Sequence, residues 1–265
     1  ATDVINNSKG LYQLYTRDEY PTIWGKDFQA EALFELYIST TEPSEWGGGT
    51  GGEGAPMVYA NEEKGVDWNN LILTEEFLNL LEEDPNDVRH CITQLSLIEN
   101  NEGLPEAART RKVFLSKFPG KSGDPKDNNI SIIRLSEVYL NAAEAAAMLY
   151  KENNQSEYRT KAQTLIDALR IKRFSQTTYK PTTISEGEQL VSFIRDERRR
   201  ELCFETHRWF DLRRYGMEEI KHTWYDTSGE PIEYILEKND PGFTLQLPNE
   251  AFEHNSSLVQ NEPRK

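Results

Sequence analysis

From residue 132 the apolar positions Ile132, Leu135, Tyr139, Ala142, Ala146 and Leu149 recur at steps of three and four. That spacing predicts an α-helix. Val138, Leu140, Ala143, Ala145 and Ala147 widen its apolar face, so the helix is expected to pack on several sides. One stripe stays polar, at Arg134, Glu137, Asn141 and Glu144. After the polar turn ENNQS, a second helix is predicted with Tyr158, Ala162, Leu165, Ile166 and Leu169 on its buried face. A third opens with a capping box of Ser185 and Glu188. Its stripe runs Val191, Ile194, Arg198, Glu201, Glu205, Arg208 and Leu212, a phase that requires an unbroken helix past Glu205.

The flanking segments are less regular. In residues 1–129, Ala30–Ser39 fits helix or strand equally, and it leads to Pro43 and a glycine loop, GGGTGGEG at 47–54. That loop carries no phosphate-binding lysine, so it is not a P-loop. Thr74 is placed to cap a short helix ending near Leu81, with Glu75 and Glu76 in its first turn. Val113–Phe118 reads as a strand, and residues 120–129 as a loop. Residues 218–265 read as mixed, with strand candidates at Tyr234–Glu237 and Phe243–Leu247 around the turn NDPG, and then an irregular surface tail. The expected fold is therefore mostly α with irregular loops and a few short strands. Residues 130–217 form its scaffold, with small residues placed as in tetratricopeptide helices. A single such hairpin cannot bury its apolar face alone, so stacking partners are expected.

Composition narrows the function. Against 30 Lys and Arg stand 45 Asp and Glu, a net charge of −15 over 265 residues. Nucleic acid and anionic membrane surfaces both require clustered cations, so nucleic acid is excluded as a partner and an anionic membrane surface is disfavoured. A neutral or cationic ligand fits this charge. No apolar run approaches the roughly 20 residues of a membrane helix. The chain starts at Ala1 with no apolar leader, which leads us to expect a processed chain or a fragment. Cys91 and Cys203 are the only cysteines. They read as buried thiols, with a single bridge left open. The four scattered histidines and the absence of CxxC argue against zinc.

The charge-dense run Arg195–Arg214 is read as internal pairing, because acids and arginines alternate at i,i+3 and i,i+4. No GxSxG, HExxH, Walker or dinucleotide-binding pattern occurs. A glycosidase pair cannot be picked from so many carboxylates. Asp124, Asp127, Asn128 and Asn129 are possible calcium donors but lack EF-hand spacing. No metal or cofactor is expected. The aromatics outside helices carry more information. Trp46 precedes the glycine loop, and Trp68 is followed by Asn69 and Asn70. Flat rings beside amides suit neutral sugars, since rings stack on C–H faces while amides bond hydroxyls. Trp46, Tyr59, Trp68 and Asn69 are the expected ligand contacts, whereas Trp24 reads as a loop seal.

The helical block also carries a resemblance. Residues 132–150, IIRLSEVYLNAAEAAAMLY, and 197–216, ERRRELCFETHRWFDLRRYG, resemble the two signature segments of the SusD/RagB family. In the second, Glu197, Arg198, Glu201, Leu202, Glu205, Arg208, Asp211, Leu212, Arg214 and Gly216 match, while Thr206 stands where the family usually has glycine. DPNDVRHCIT (84–93) and LQLPNEAFEHNSSLVQN (245–261) resemble weaker family segments, and the first 83 residues fit by position only. The resemblance implies a SusD-like α/α superhelix, of which this chain is the C-terminal portion. It also implies a non-enzymatic protein on the extracellular face of the outer membrane, joined to the membrane only by an N-terminal lipid anchor outside this chain. Such a protein holds a glycan, or in the RagB branch a peptide, for import through a SusC-like TonB-dependent transporter. A tetratricopeptide-type peptide-binding module and a glycoside hydrolase are the alternatives. The resemblance makes the paired charges scaffold and transfers no binding residue.

Overall fold

The structure, a computed structural model, describes residues 1–7, 10–27, 30–39, 73–96, 112–115, 117–119, 121, 128–225 and 230–263. Its helices are α1 (Thr2–Asn7), α2 (Glu75–Glu82), α3 (Leu135–Asn153), α4 (Ser156–Arg170), α5 (Gly187–Glu201), α6 (His207–Tyr215) and α7 (Asn249–His254). Its strands are β1 (Ala32–Leu36), β2 (Thr93–Ser96), β3 (Lys112–Leu115), β4 (Ile130–Arg134), β5 (Ile220–Tyr225) and β6 (Pro231–Leu236). They pair antiparallel as β1–β4, β2–β3 and β5–β6. The chain divides into one unit of Ala1–Leu97 with Arg111–Glu205 and another of Ile98–Thr110 with Thr206–Lys265.

In the first unit α3 is the central element. Its alanines at 142, 143, 146 and 147 are buried, and alanine both favours the helix and lets neighbours approach closely. Asn154 ends it in a left-handed turn, with its N–H on the Tyr150 carbonyl at 2.7 Å. The chain reverses there into α4. Leu140, Ala162, Ile166, Leu169, Val191 and Ile194 close one apolar cluster among α3, α4 and α5. A second cluster gathers Tyr20, Ile23, Trp24, Phe77, Leu81, Ile92 and Cys203. Trp24 is buried edge-on to Tyr20 and Phe118, a seal as read from sequence. In α2, Thr74 caps as expected, its hydroxyl accepting from the Phe77 N–H at 3.3 Å.

Several boundaries differ from the sequence reading. The first long helix starts at Leu135, not Ile132, because Ile130–Arg134 pairs with β1 instead. That pairing also resolves the ambiguous segment 30–39, whose residues Ala32–Leu36 are strand. The capping box does not form. Glu186 is the N-cap, without a side-chain cap bond. The Ser185 carbonyl accepts from the Tyr150 hydroxyl at 2.5 Å, and Glu188 pairs with Lys151 at 2.5 Å. The third helix stops at Glu201, and Phe204 and Thr206 take positive φ before α6 begins. In the second unit β6 pairs with β5, which the pattern did not reveal, and Phe243–Leu247 is not a strand. Phe243 ends a 3-10 turn and stacks on Trp209, centroids 5.4 Å apart, so its burial replaces strand pairing.

Candidate functional site

The charges of the 195–214 run fold largely into pairs. Arg195 meets Glu144 at 3.1 Å, and Arg198 donates to Asn141 at 2.8 Å, so the polar stripe of α3 is the docking edge for α5. Arg199 reaches Glu76 at 2.6 Å, and Arg200 reaches Glu83 and the Leu80 carbonyl of α2.

Beneath them lies a buried ionic core. Glu201 accepts from Arg173 at 2.8 and 3.0 Å and from Arg134 at 3.2 Å, with Arg89 at 3.4 Å. Glu31 joins Arg134 at 2.7 Å and Arg173 at 2.8 Å. Glu205 holds Arg134 and Lys117, both at 2.6 Å. Glu197 holds Arg89 at 2.7 Å and Arg170 at 2.6 Å. Aromatic faces cover the cations. Lys117 lies 4.2 Å from the Trp24 ring centroid, and Arg173 4.7 Å from that of Tyr20.

Burial alone would raise these carboxyls, yet the guanidinium groups outweigh it. Arg89, Arg170 and Arg200 bring Glu197 down to about 2. Arg173, Arg134 and Arg89 hold Glu201 well below the carboxylate range, and Arg134 with Lys117 lowers Glu205. A general acid needs the opposite shift. The core carboxylates are also shielded from solvent. Cys91 and Cys203 are free thiols, and burial pushes Cys91 up to about 11 and raises Cys203, the opposite of the shift that activates a thiolate.

The expected contacts Trp46, Tyr59, Trp68 and Asn69 lie outside the described residues, as do Asp124 and Asp127. The structure instead exposes a polar and aromatic cluster at the open end of β1 and β4, where the chain leaves β1 toward the glycine loop. Lys121 is its pivot, with a side chain only 8% exposed. Its ammonium bonds Asp27 Oδ1 at 2.8 Å, Asn129 Oδ1 at 2.9 Å and the Ile38 carbonyl. It also lies 4.1 Å from the centroid of the Tyr37 ring. Asn129 accepts from the Ile38 N–H at 2.9 Å and donates to Asp27 at 2.8 Å and to Glu35. Asn129 Oδ1, named from sequence as a calcium donor, is thus taken by the Lys121 ammonium. Sequence reasoning missed Asp27, Tyr37 and Lys121. The one available signal was the position of Tyr37 in the apolar segment bordering the glycine loop.

Fold and core together define a helical scaffold of tetratricopeptide type, stabilised by buried arginine–glutamate pairing, with its exposed chemistry at the bases of loops. The chain belongs to the SusD family, whose model matches residues 30–263. It is 49% identical to a SusD superfamily protein of Bacteroides thetaiotaomicron, with a TM-score of 0.77 over 99% of this chain and 55% of that one. A SusD-like protein P2 of Formosa agariphila is 31% identical over 149 residues, 54% of this chain and 27% of the relative. The fold is shared with surface glycan-binding protein A of B. thetaiotaomicron, solved in complex with laminarihexaose, at 20% identity and a TM-score of 0.60 over 98% of this chain and 57% of that one. The chain spans about half the length of these solved relatives. The match also reaches further toward the N-terminus than the segments legible by eye.

Proposed function

We propose that the protein is a non-catalytic glycan-binding protein of the bacterial cell surface, at the outer membrane, that presents oligosaccharide to a SusC-like TonB-dependent transporter. Membership of the SusD family over residues 30–263 carries this reading. The acidic charge supports it, as does a core whose buried carboxylates are held ionised and so unsuited to acid catalysis. Trp46, Tyr59, Trp68 and Asn69 are the proposed contacts from the loop region. Isothermal titration of neutral oligosaccharides against wild type, Trp46→Ala and Trp68→Ala tests both ligand class and residues. Weaker binding in the variants supports the assignment, and equal binding in all three removes these two residues. No reducing sugar should be released. Co-purification with a SusC-like barrel protein of the same organism tests the transporter, and failure to co-purify removes that part of the proposal.

A further inference from the structure

Lys121 is held in an unusual way. Among the described residues it is held by oxygens from three separated segments, at Asp27, Ile38 and Asn129. The Tyr37 ring lies over this buried ammonium yet remains 56% exposed. A ring pinned by a cation beneath it pays little conformational entropy when a ligand settles on its outer side. Asp27 adds a hydrogen-bonding edge. Lys121 and Asn129 both bind Oδ1, which leaves Oδ2 to accept hydroxyl protons. The Asp27 side chain is 37% exposed, so a ligand can reach it. Ring and carboxylate contact one ammonium, so they are neighbours within the span of a pyranose. The Lys121 and Asp27 charges offset each other, and Glu35, which accepts from Asn129, adds a further carboxylate to the cluster.

We infer that Tyr37 and Asp27 form a sugar-binding subsite for a neutral saccharide, with Tyr37 stacking on the C–H face of one residue and Asp27 Oδ2 accepting from its hydroxyls. Lys121 and Asn129 are positioning residues that hold both groups in place. The subsite rests on the glycan-binding reading above and adds residues that the sequence did not disclose. An anionic saccharide is the poorer ligand, because the Lys121 ammonium is paired with Asp27 and the chain carries −15.

The test is titration calorimetry of the purified protein with laminarihexaose, cellohexaose, maltohexaose, xylohexaose and oligogalacturonate. Wild type should bind at least one neutral hexaose. Tyr37→Ala should weaken that binding by about tenfold or more, while Tyr37→Phe, which keeps the ring, stays within about twofold. Asp27→Ala should weaken it by several-fold. Unchanged affinity in Tyr37→Ala overturns the subsite and leaves the glycan-binding reading intact. Equal losses in Tyr37→Phe and Tyr37→Ala also overturn it, since the ring face would then not be the contact. Binding of oligogalacturonate alone overturns the neutral class, and wild type that binds none of the five fails the glycan reading itself. A second measurement needs no variant: bound hexaose should protect Tyr37 from tetranitromethane nitration, read by peptide mass, while exposed Tyr234 serves as the internal control. Equal nitration of Tyr37 with and without a bound hexaose sinks the assignment.

Discussion

At the scale of single residues, two positions carry a cost that substitution should relieve. Tyr20 is fully buried and its hydroxyl has no hydrogen-bond partner among the described residues. Its ring is useful, packing edge-on against Trp24 and receiving the Arg173 guanidinium. An unsatisfied buried hydroxyl costs about 1–3 kcal/mol. Tyr20→Phe keeps the ring and removes that cost, so urea unfolding should show a gain of about 1 kcal/mol. A loss would mean that the hydroxyl is bonded in solution, by a trapped water for example. Thr206 takes φ 67° and ψ 2°, a left-handed conformation that is poor for a β-branched residue. The sequence flagged this position, since related segments usually carry glycine there. Thr206→Gly should raise stability by about 1 kcal/mol in the same assay. No gain would mean that the threonine side chain contributes as much as its backbone strain costs.

At the scale of elements, helix propensity and packing disagree at Gly187, the first residue of α5. Propensity alone favours alanine over glycine in a helix by about 1 kcal/mol. Yet a Cβ built on Gly187 would lie 2.8 Å from the Lys151 Cα, where α5 crosses the end of α3. Backbone cannot move aside cheaply, so Gly187→Ala should cost about 1–3 kcal/mol in thermal or urea unfolding. A stabilised variant would show that the helices separate easily at this crossing. The same contrast explains what could be read in advance. The bodies of α3, α4 and α5 were legible because helical periodicity is local. The β1–β4 pairing was not, because Ala32 meets Arg134 across about a hundred residues of chain, and only that pairing moves the helix start from Ile132 to Leu135. Ser185 and Glu188 had the right spacing for a cap, but the helix begins a residue later, with Glu186 as N-cap, and Glu188 pairs with Lys151 of α3. The Asp27, Tyr37, Lys121 and Asn129 cluster was illegible for the same reason as the sheet. Each member is an ordinary polar or aromatic residue until the fold brings the segments together.

At the scale of the whole molecule, two electrostatic effects oppose one another as pH falls. The net charge of −15 repels itself, and titration toward the pI near 4.8 relieves that repulsion. The ionic core of the first unit works the other way. Glu197, Glu201 and Glu205 are held below the ordinary carboxylate range by their arginine and lysine partners, whereas in the unfolded chain they titrate near 4.3. Their stabilisation is complete above that value and is lost as pH falls toward 2. Between those limits, each carboxylate protonated only in the unfolded chain lowers stability by about 1.4 kcal/mol per pH unit. Urea unfolding at a series of pH values should therefore show a level or slightly rising stability from pH 7 to about 5, then a steep fall below about 4.5. Salt separates the two effects. Surface repulsion is screened over about 8 Å at physiological ionic strength, while buried pairs are screened far less. Added salt should flatten the stretch above pH 5 and leave the steep limb in place. A limb that salt abolishes, or that begins above pH 6, would place the acid sensitivity on surface pairs or histidines instead of the arginine–glutamate core.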